Sequence, residues 1–271
     1  MSDQRQESSN PLFFNPLEPY VGLSISDLNR YLPAIQTVDE VKMTRDQMQE
    51  GIFWGDAVIG LERLPESSID LIIAEPPKTP WLSLDESGKS MSLQEYFEWN
   101  NRWLMESHRV LRETGLLYLL CDWRYSGMYQ SALSDRFHLQ TRITWRDENA
   151  CPVGKKGTWN NGMNDIWFAS KSDDFLFENH PTGSMSGAES DRSNFWAEIQ
   201  TGVTPYMKGD QPDIILRRIL KTSSFKLSWV VDPFVRNGAV GVAAKKMGRR
   251  FIGFETNRDQ VLMAMKRIDQ S

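Results

Sequence analysis

Short apolar runs alternate with longer amphipathic stretches from Gly51 to the end of the chain. Ile52-Phe53-Trp54 has the length of a short strand and is closed by Gly55-Asp56. Leu71-Ile72-Ile73-Ala74 is apolar at every position, the mark of a strand covered on both faces. Between Leu93 and Leu111, apolar residues recur at Leu93, Tyr96, Phe97, Trp103, Leu104, Val110 and Leu111, a helical spacing. Ser92 and Glu95 supply a capping box at its start, and Gly115 punctuates its end. Leu116 to Cys121 then reads as a buried strand and His138 to Trp145 as another. Asp165 to Ala169 and Phe175 to Phe177 read as a further pair of strands. The last sixty or so residues repeat the rhythm: a helix over Ile214 to Leu220 with Arg217, Arg218 and Lys221 outward, a strand over Trp229 to Val231, and a helix over Ala239 to Met247. A strand over Phe251 to Phe254 and a helix over Val261 to Ile268 complete it. Strands separated by helices imply an α/β fold on a mostly parallel sheet.

Three segments break this rhythm. Residues 1 to about 45, with Pro11, Pro16, Pro19 and Pro33, read as an extended arm disordered at its tip. The Gly-, Asn- and Lys-bearing stretch Asp147 to Asn164 and the Gly/Ser-rich stretch Asn179 to Asn194 read as exposed loops, where recognition is usually carried. The rest, 46–271, is expected to be a single domain, with one half over 46–178, a loop-rich insert over about 147–208, and a second half over 209–271.

Composition narrows the function classes. The chain has 271 residues, 31 basic and 36 acidic, for a net charge of −5, which excludes a wholesale basic nucleic-acid binder but not a local basic face. The longest uncharged apolar run is far too short to cross a bilayer, so no membrane association is expected and the location is read as cytoplasmic. Two cysteines and three scattered histidines make a disulfide framework or a metal site an unfavoured expectation. Cys121 reads as a small core residue, and Trp99 and Trp103 as core residues on the helical stripe.

Chemistry is expected at two strand-to-loop junctions. Asp232-Pro233-Phe234-Val235-Arg236-Asn237-Gly238 links a strand to a helix N-terminus, where an open α/β sheet receives ligands. Glu255 ends the next strand at a separation from which a carboxylate reaches ribose hydroxyls. This combination suits a nucleoside-bearing cofactor, and it also suits an ordinary turn with one glycine. A nicotinamide-dependent oxidoreductase is disfavoured because no G-x-G-x-x-G run is present. The second junction is Glu75-Pro76-Pro77. Its prolines lack N–H groups, so their carbonyls are expected to point outward as acceptors for an exocyclic amino group.

Both junctions, in this order, resemble the circularly permuted DNA amino-methyltransferases, which methylate adenine N6 or cytosine N4. The likeness runs from Gly55-Asp56 and Ser68 to Ile73, through Ile143 to Arg146 and Asn164 to Lys171. It is densest from Val231-Asp232-Pro233-Phe234 to Gly253-Phe254-Glu255. The resemblance implies a Rossmann-like S-adenosylmethionine-dependent methyltransferase fold with an added recognition region. It implies S-adenosylmethionine held by Asp56, Asp232, Phe234, Gly238 and Glu255, with no metal. It places catalysis on Glu75, Pro76 and Pro77, with Trp81 as a displaced stacking platform. The partner it implies is double-stranded DNA with a flipped base, met by Arg142, Arg146, Lys155, Lys156 and Trp159. A homodimer, or docking on an active paralogue, follows from the same likeness. The family's loop reads Asp, Asn or Ser, then Pro-Pro and an aromatic; here it is Glu75-Pro76-Pro77-Lys78. Arg236 stands where the family carries the first glycine of its cofactor loop, and Met207 to Pro212 keeps only the final proline of an upstream motif. These departures imply weak or absent activity in the isolated chain, and as an alternative a silent DNA-binding or partner-docking subunit.

Overall fold

Burial along Leu71-Ile72-Ile73 alternates between two apolar layers, so this strand is packed on both faces. A computed structural model describes residues 22–78, 80, 90–146, 162–177, 193–196 and 213–271. In chain order the elements are α1 (Ile25–Tyr31), β1 (Gln36–Thr37), β2 (Gly51–Trp54), α2 (Ala57–Arg63), β3 (Ile69–Ala74), α3 (Leu93–Val110), β4 (Leu111–Cys121) and α4 (Ser126–Ser134). They continue with β5 (His138–Arg146), β6 (Met163–Ser170), β7 (Phe195–Trp196), α5 (Asp213–Ser223), β8 (Trp229–Asp232), α6 (Ala239–Lys246), β9 (Arg250–Glu255) and α7 (Arg258–Asp269). The strands form one sheet in the order β1-β2-β9-β8-β3-β4-β6-β5-β7. Strands β1, β2, β9, β8, β3 and β4 run parallel, and β6 is antiparallel to both of its neighbours. The expected mostly parallel α/β architecture is what the chain adopts.

The helices cover the sheet on two sides. Val58 and Leu61 of α2, Trp103 and Leu104 of α3 and Tyr129 and Leu133 of α4 pack with Ile72, Leu117 and Val231. Ile215 and Ile219 of α5, Ala243 of α6 and Val261 of α7 pack with Leu71, Ile73, Leu120 and Val230. The connections from β3 through α3 to β4 and from β8 through α6 to β9 leave in opposite directions along the sheet. The neighbouring strands β3 and β8 therefore form a topological switch point, where a crevice opens at the carboxyl ends. Only Leu71–Val230 and Ile72–Val231 are in register there. At the opposite end, Asp70 locks the junction by accepting the Trp229 N–H at 2.7 Å and Arg112 at 2.7 Å.

Several sequence expectations are corrected. Residues 1–21 of the expected extended arm, with its tip, lie outside the described residues, but the rest of it holds α1, with Ser24 and Asp27 in a reciprocal capping box. Tyr31 and Leu23 are buried against Leu262, and Gln36–Thr37 adds β1 to the sheet edge. The short amphipathic face, not the prolines, decides the conformation of that segment. The α3 helix stops at Val110 and β4 starts at once. Gly115 lies inside β4, where a side chain would strike the Arg112 backbone at 2.8 Å. Phe175 to Phe177 is not a strand, because β4 and β5 already occupy both edges of β6; Phe175 and Phe177 instead pack their rings on Phe168. Helices α2, of seven residues, and α4, of nine, are additions to the elements the pattern predicts. Of the loops expected over Asp147 to Asn164 and Asn179 to Asn194, residues 147–161 and 179–192 lie outside the described residues, and Met163 and Asn164 belong to β6 instead of a loop. No helix among the described residues is long and apolar enough to cross a membrane.

Candidate active site at the switch point

Parallel strands end together, so each delivers its next residue to one edge of the sheet. Here β2 delivers Asp56, β9 ends on Glu255, β8 ends on Asp232, β3 delivers Glu75 and β4 delivers Asp122. Asp56 caps α2, accepting the N–H groups of Val58 at 2.8 Å and Ile59 at 3.3 Å. Asp232 accepts the Phe234 N–H at 2.9 Å, which tightens the turn after β8. Glu255 accepts the N–H of Arg236 at 2.7 Å on one oxygen and that of Asn257 at 2.8 Å on the other. Gly238 opens α6 at φ 84°, and its backbone lies against Ala264 too closely for a side chain.

Between the tips of β3 and β8 lies a small, partly open hollow of about 30 Å³. Glu75, Asp232, Phe234, Arg236 and Asn237 line it over an apolar floor that includes Ile73 and Leu120. The two sequence-derived junctions therefore share one hollow. Asp232 is 3% exposed and its carboxyl is pushed up to about 8, first by burial and then by the negative charges of Glu75 and Glu255. Burial also raises Glu255.

Arg236 crosses the hollow. Its Nη1 lies 3.1 Å from Oε2 of Glu75, and Lys78 Nζ lies 3.5 Å from the other Glu75 oxygen. Arg236 is also a non-glycine residue at φ 49°, a left-handed conformation that costs on the order of 1–2 kcal/mol. The Arg236 N–H bond to Glu255 holds that conformation. The sequence marks Arg236 only as a bulky replacement; its ionic reach across the crevice is a tertiary fact.

One face of α3 supports both loops. The Tyr96 hydroxyl donates to the Pro77 carbonyl and lies 2.9 Å from the Tyr129 hydroxyl, which donates to Asn100 Oδ1 at 3.0 Å. Trp103 Nε1 donates to the same Asn100 oxygen at 2.8 Å. The rings of Trp99 and Trp103 sit 5.4 Å and 5.3 Å from that of Phe234. The Pro77 carbonyl is thus turned inward to a donor, a correction to the expectation that both proline carbonyls face outward. Among the described residues no donor engages the Pro76 carbonyl. The signal for this network is Asn100 within an apolar stripe, at i+4 from Tyr96 and i−3 from Trp103. Trp103 is a core residue as expected, whereas Trp99 is only partly buried and faces the Phe234 loop. Tyr96→Phe, which leaves the Pro77 carbonyl without its donor, is expected to lower unfolding stability by about 1–2 kcal/mol in urea melts. An unchanged midpoint would show that the network does not support the loop.

The remaining sequence-derived residues are more scattered. Of the sequence-derived residues, Glu75, Asp232 and Phe234 line the hollow, whereas Pro76, Pro77, Gly238 and Glu255 lie outside its lining, as does Asp56, which stands beyond Glu255 along the strand tips. Pro76 is buried and Pro77 half-buried beside Glu75, whereas Trp81 lies outside the described residues. Arg142 is exposed on β5, 3.9 Å from Asp165 and over the Trp167 ring at 5.9 Å. Arg146 ends β5, its side chain outside the described set, as are Lys155, Lys156, Trp159 and the stretch Met207 to Pro212. Among the described residues no group of His, Cys, Asp or Glu could hold a metal ion.

Comparison with known proteins matches this arrangement to one family. The family model described as DNA methylase matches residues 69–266, well over half of the chain. The type II methyltransferase M2.LlaDCHI of Lactococcus lactis subsp. cremoris is 27% identical over 237 residues, covering 78% of this chain and 86% of its own. The solved structure of the cytosine-N4-specific PvuII DNA methyltransferase superposes with a TM-score of 0.69 at 18% identity, covering 81% of this chain and 86% of its own. That of the M1.HpyAVI–SAM complex superposes with a TM-score of 0.59 at 19% identity, covering 81% and 98%. At these identities the structures report the shared fold. With its strand-tip hollow and the match across both halves of the sheet, the chain belongs to the DNA methylase family, the DNA amino-methyltransferases.

Proposed function

We propose that the hollow between β3 and β8 is a nucleoside-ligand and base-amino site of a DNA methyltransferase whose transfer activity in the isolated chain is weak or absent. The observation that carries this reading is the ion pair from Arg236 to Glu75 across the hollow. Family membership supports S-adenosylmethionine as the ligand and double-stranded DNA as the substrate, with the target base taken out of the stack.

The residues fit the two ends of such a ligand unequally. Glu255 and the turn from Asp232 through Gly238 suit the nucleoside, with Phe234 walling the hollow and Asp56 supporting the outer strand tip. They suit the sulfonium end poorly: Arg236 stands where the family carries the first glycine of its cofactor loop, on the side of the donor's methionine end, and a guanidinium there repels a sulfonium. When bound, the ligand supplies an electrophilic methyl group.

The chain's own part is to position the acceptor amino group. The Pro76 carbonyl and one Glu75 oxygen can each accept an N–H of an exocyclic amine. In this structure each Glu75 oxygen is paired with a cation, so an incoming amine shares that oxygen with Arg236 or Lys78 or displaces it. Lys78 offers no ring face, and Trp81 is the nearest aromatic in sequence that could stack on a base. Arg142, Arg146, Lys155, Lys156 and Trp159 are the proposed DNA-facing residues, and homodimerisation or docking on an active paralogue the proposed assembly. The occupied Glu75 equally favours a second reading, a silent subunit that binds DNA without methylating it.

Calorimetric titration with S-adenosylmethionine, followed by a labelled-methyl transfer assay on double-stranded DNA, tests the proposal. Saturable binding below millimolar with transfer near background is expected. No binding at millimolar ligand would remove the cofactor assignment, and full transfer by the wild type would remove the claim of weakened catalysis.

A further inference from the structure

We infer that Arg236 is a specificity-determining residue, and that it makes the hollow prefer a neutral thioether nucleoside over the corresponding sulfonium. The inference rests on the proposed nucleoside site and adds the charge at sulfur as the property the site reads.

Three observations support it. First, Arg236 is held at both ends: its backbone N–H is bonded to Glu255 at 2.7 Å and its guanidinium lies 3.1 Å from Glu75. With its backbone pinned at φ 49°, the side chain leaves the hollow only by giving up Glu75. Second, the charges around the hollow already balance. Glu75 is the anion in its lining and the Arg236 guanidinium the cation facing it, with Lys78 on the other Glu75 oxygen; Glu255 lies outside the lining and is met by the N–H groups of Arg236 and Asn257. Asp232 carries its proton at neutral pH, since burial and its acidic neighbours push it to about 8. A thioether leaves this balance intact, whereas a sulfonium adds an unmatched positive charge beside a guanidinium in a partly desolvated space. Third, the apolar floor of Ile73, Leu120 and Leu216 offers both ligands dispersion contacts, but it imposes on the sulfonium alone a desolvation cost that no anion there offsets.

S-adenosylhomocysteine and S-adenosylmethionine are the probes, because they share every group except the methyl and the charge at sulfur. The two affinities are measured by calorimetry on wild type, Arg236→Gly and Arg236→Lys. Glycine suits the left-handed backbone and removes the cation; lysine keeps the charge, so it separates charge from loop shape. Wild type is expected to bind the thioether at least about tenfold more tightly than the sulfonium. Arg236→Gly should shift the ratio of the two affinities toward the sulfonium by about tenfold or more, and Arg236→Lys should leave it near the wild-type value. Equal affinities in wild type, or a ratio unchanged in Arg236→Gly, would overturn the inference while leaving the nucleoside site standing. A ratio lost equally in Arg236→Lys would also overturn it, by assigning the effect to shape. If neither ligand binds any variant, the nucleoside site itself is wrong and this inference falls with it.

Discussion

The triple variant Glu75→Asp, Lys78→Tyr, Arg236→Gly is expected to raise labelled-methyl transfer to double-stranded DNA by about a hundredfold or more over the wild type. Each change addresses a separate geometric obstacle. Arg236→Gly frees the Glu75 side of the hollow, and Glu75→Asp draws the carboxylate back by one methylene toward the β3 tip. Misplacing a reacting group by about 1 Å can cost on the order of a hundredfold in rate. Lys78→Tyr supplies a ring face, and base–aromatic stacking contributes roughly 1–3 kcal/mol per base. The core offers no obstacle, since the changes lie in loops above a buried sheet. A folded triple variant that binds S-adenosylmethionine but transfers nothing would show that further parts of the site, beyond these three positions, are lost.

The second large effect is on stability rather than turnover. The Asp232 carboxyl titrates at about 8 in the folded chain against 3.8 for an ordinary aspartate. Between those values the folded state holds a proton that the unfolded state has released. Folding stability from this group is therefore present at low pH, declines as pH rises from about 4 to about 8, and levels off above that. Asp232→Asn keeps an oxygen acceptor for the Phe234 N–H and removes the titration. The variant should match wild type near pH 4 to 5 and exceed it by a few kcal/mol near pH 9, in denaturant melts at each pH. Parallel pH profiles for the two proteins would refute the buried, proton-bearing assignment. Because the charge of Glu75 is part of the cause, Glu75→Gln should shrink the wild-type slope.

These two experiments probe opposite faces of one arrangement. Three acidic side chains converge at adjacent strand tips, and one of them stays protonated while the other two are met by backbone N–H groups and by the cations Arg236 and Lys78. A site organised this way is electrostatically complete without a ligand, which is the physical content of the proposed loss of activity.

The chain by itself determined the α/β class and the positions of the central strands and helices along the sequence. Continuous apolar runs at β3, β4 and β8, the capping box before α3, and the acidic residue closing β9 are local signals, and local signals survive without knowledge of the partner strand. They were enough to place Glu75 and Asp232 at strand ends and to recognise the family. What they could not reach was orientation. That the Pro77 carbonyl turns inward to Tyr96, that Trp99 and Trp103 brace Phe234, and that Arg236 reaches Glu75 across 161 residues of chain depend on which strands lie side by side. The same holds at the amino end, where prolines suggested an extended arm. There the α1 helix exists because Tyr31 and Leu23 find a hydrophobic surface beside α7. Pattern specifies which residues must be buried; only the assembled sheet decides which side chains then meet in the open space that is left.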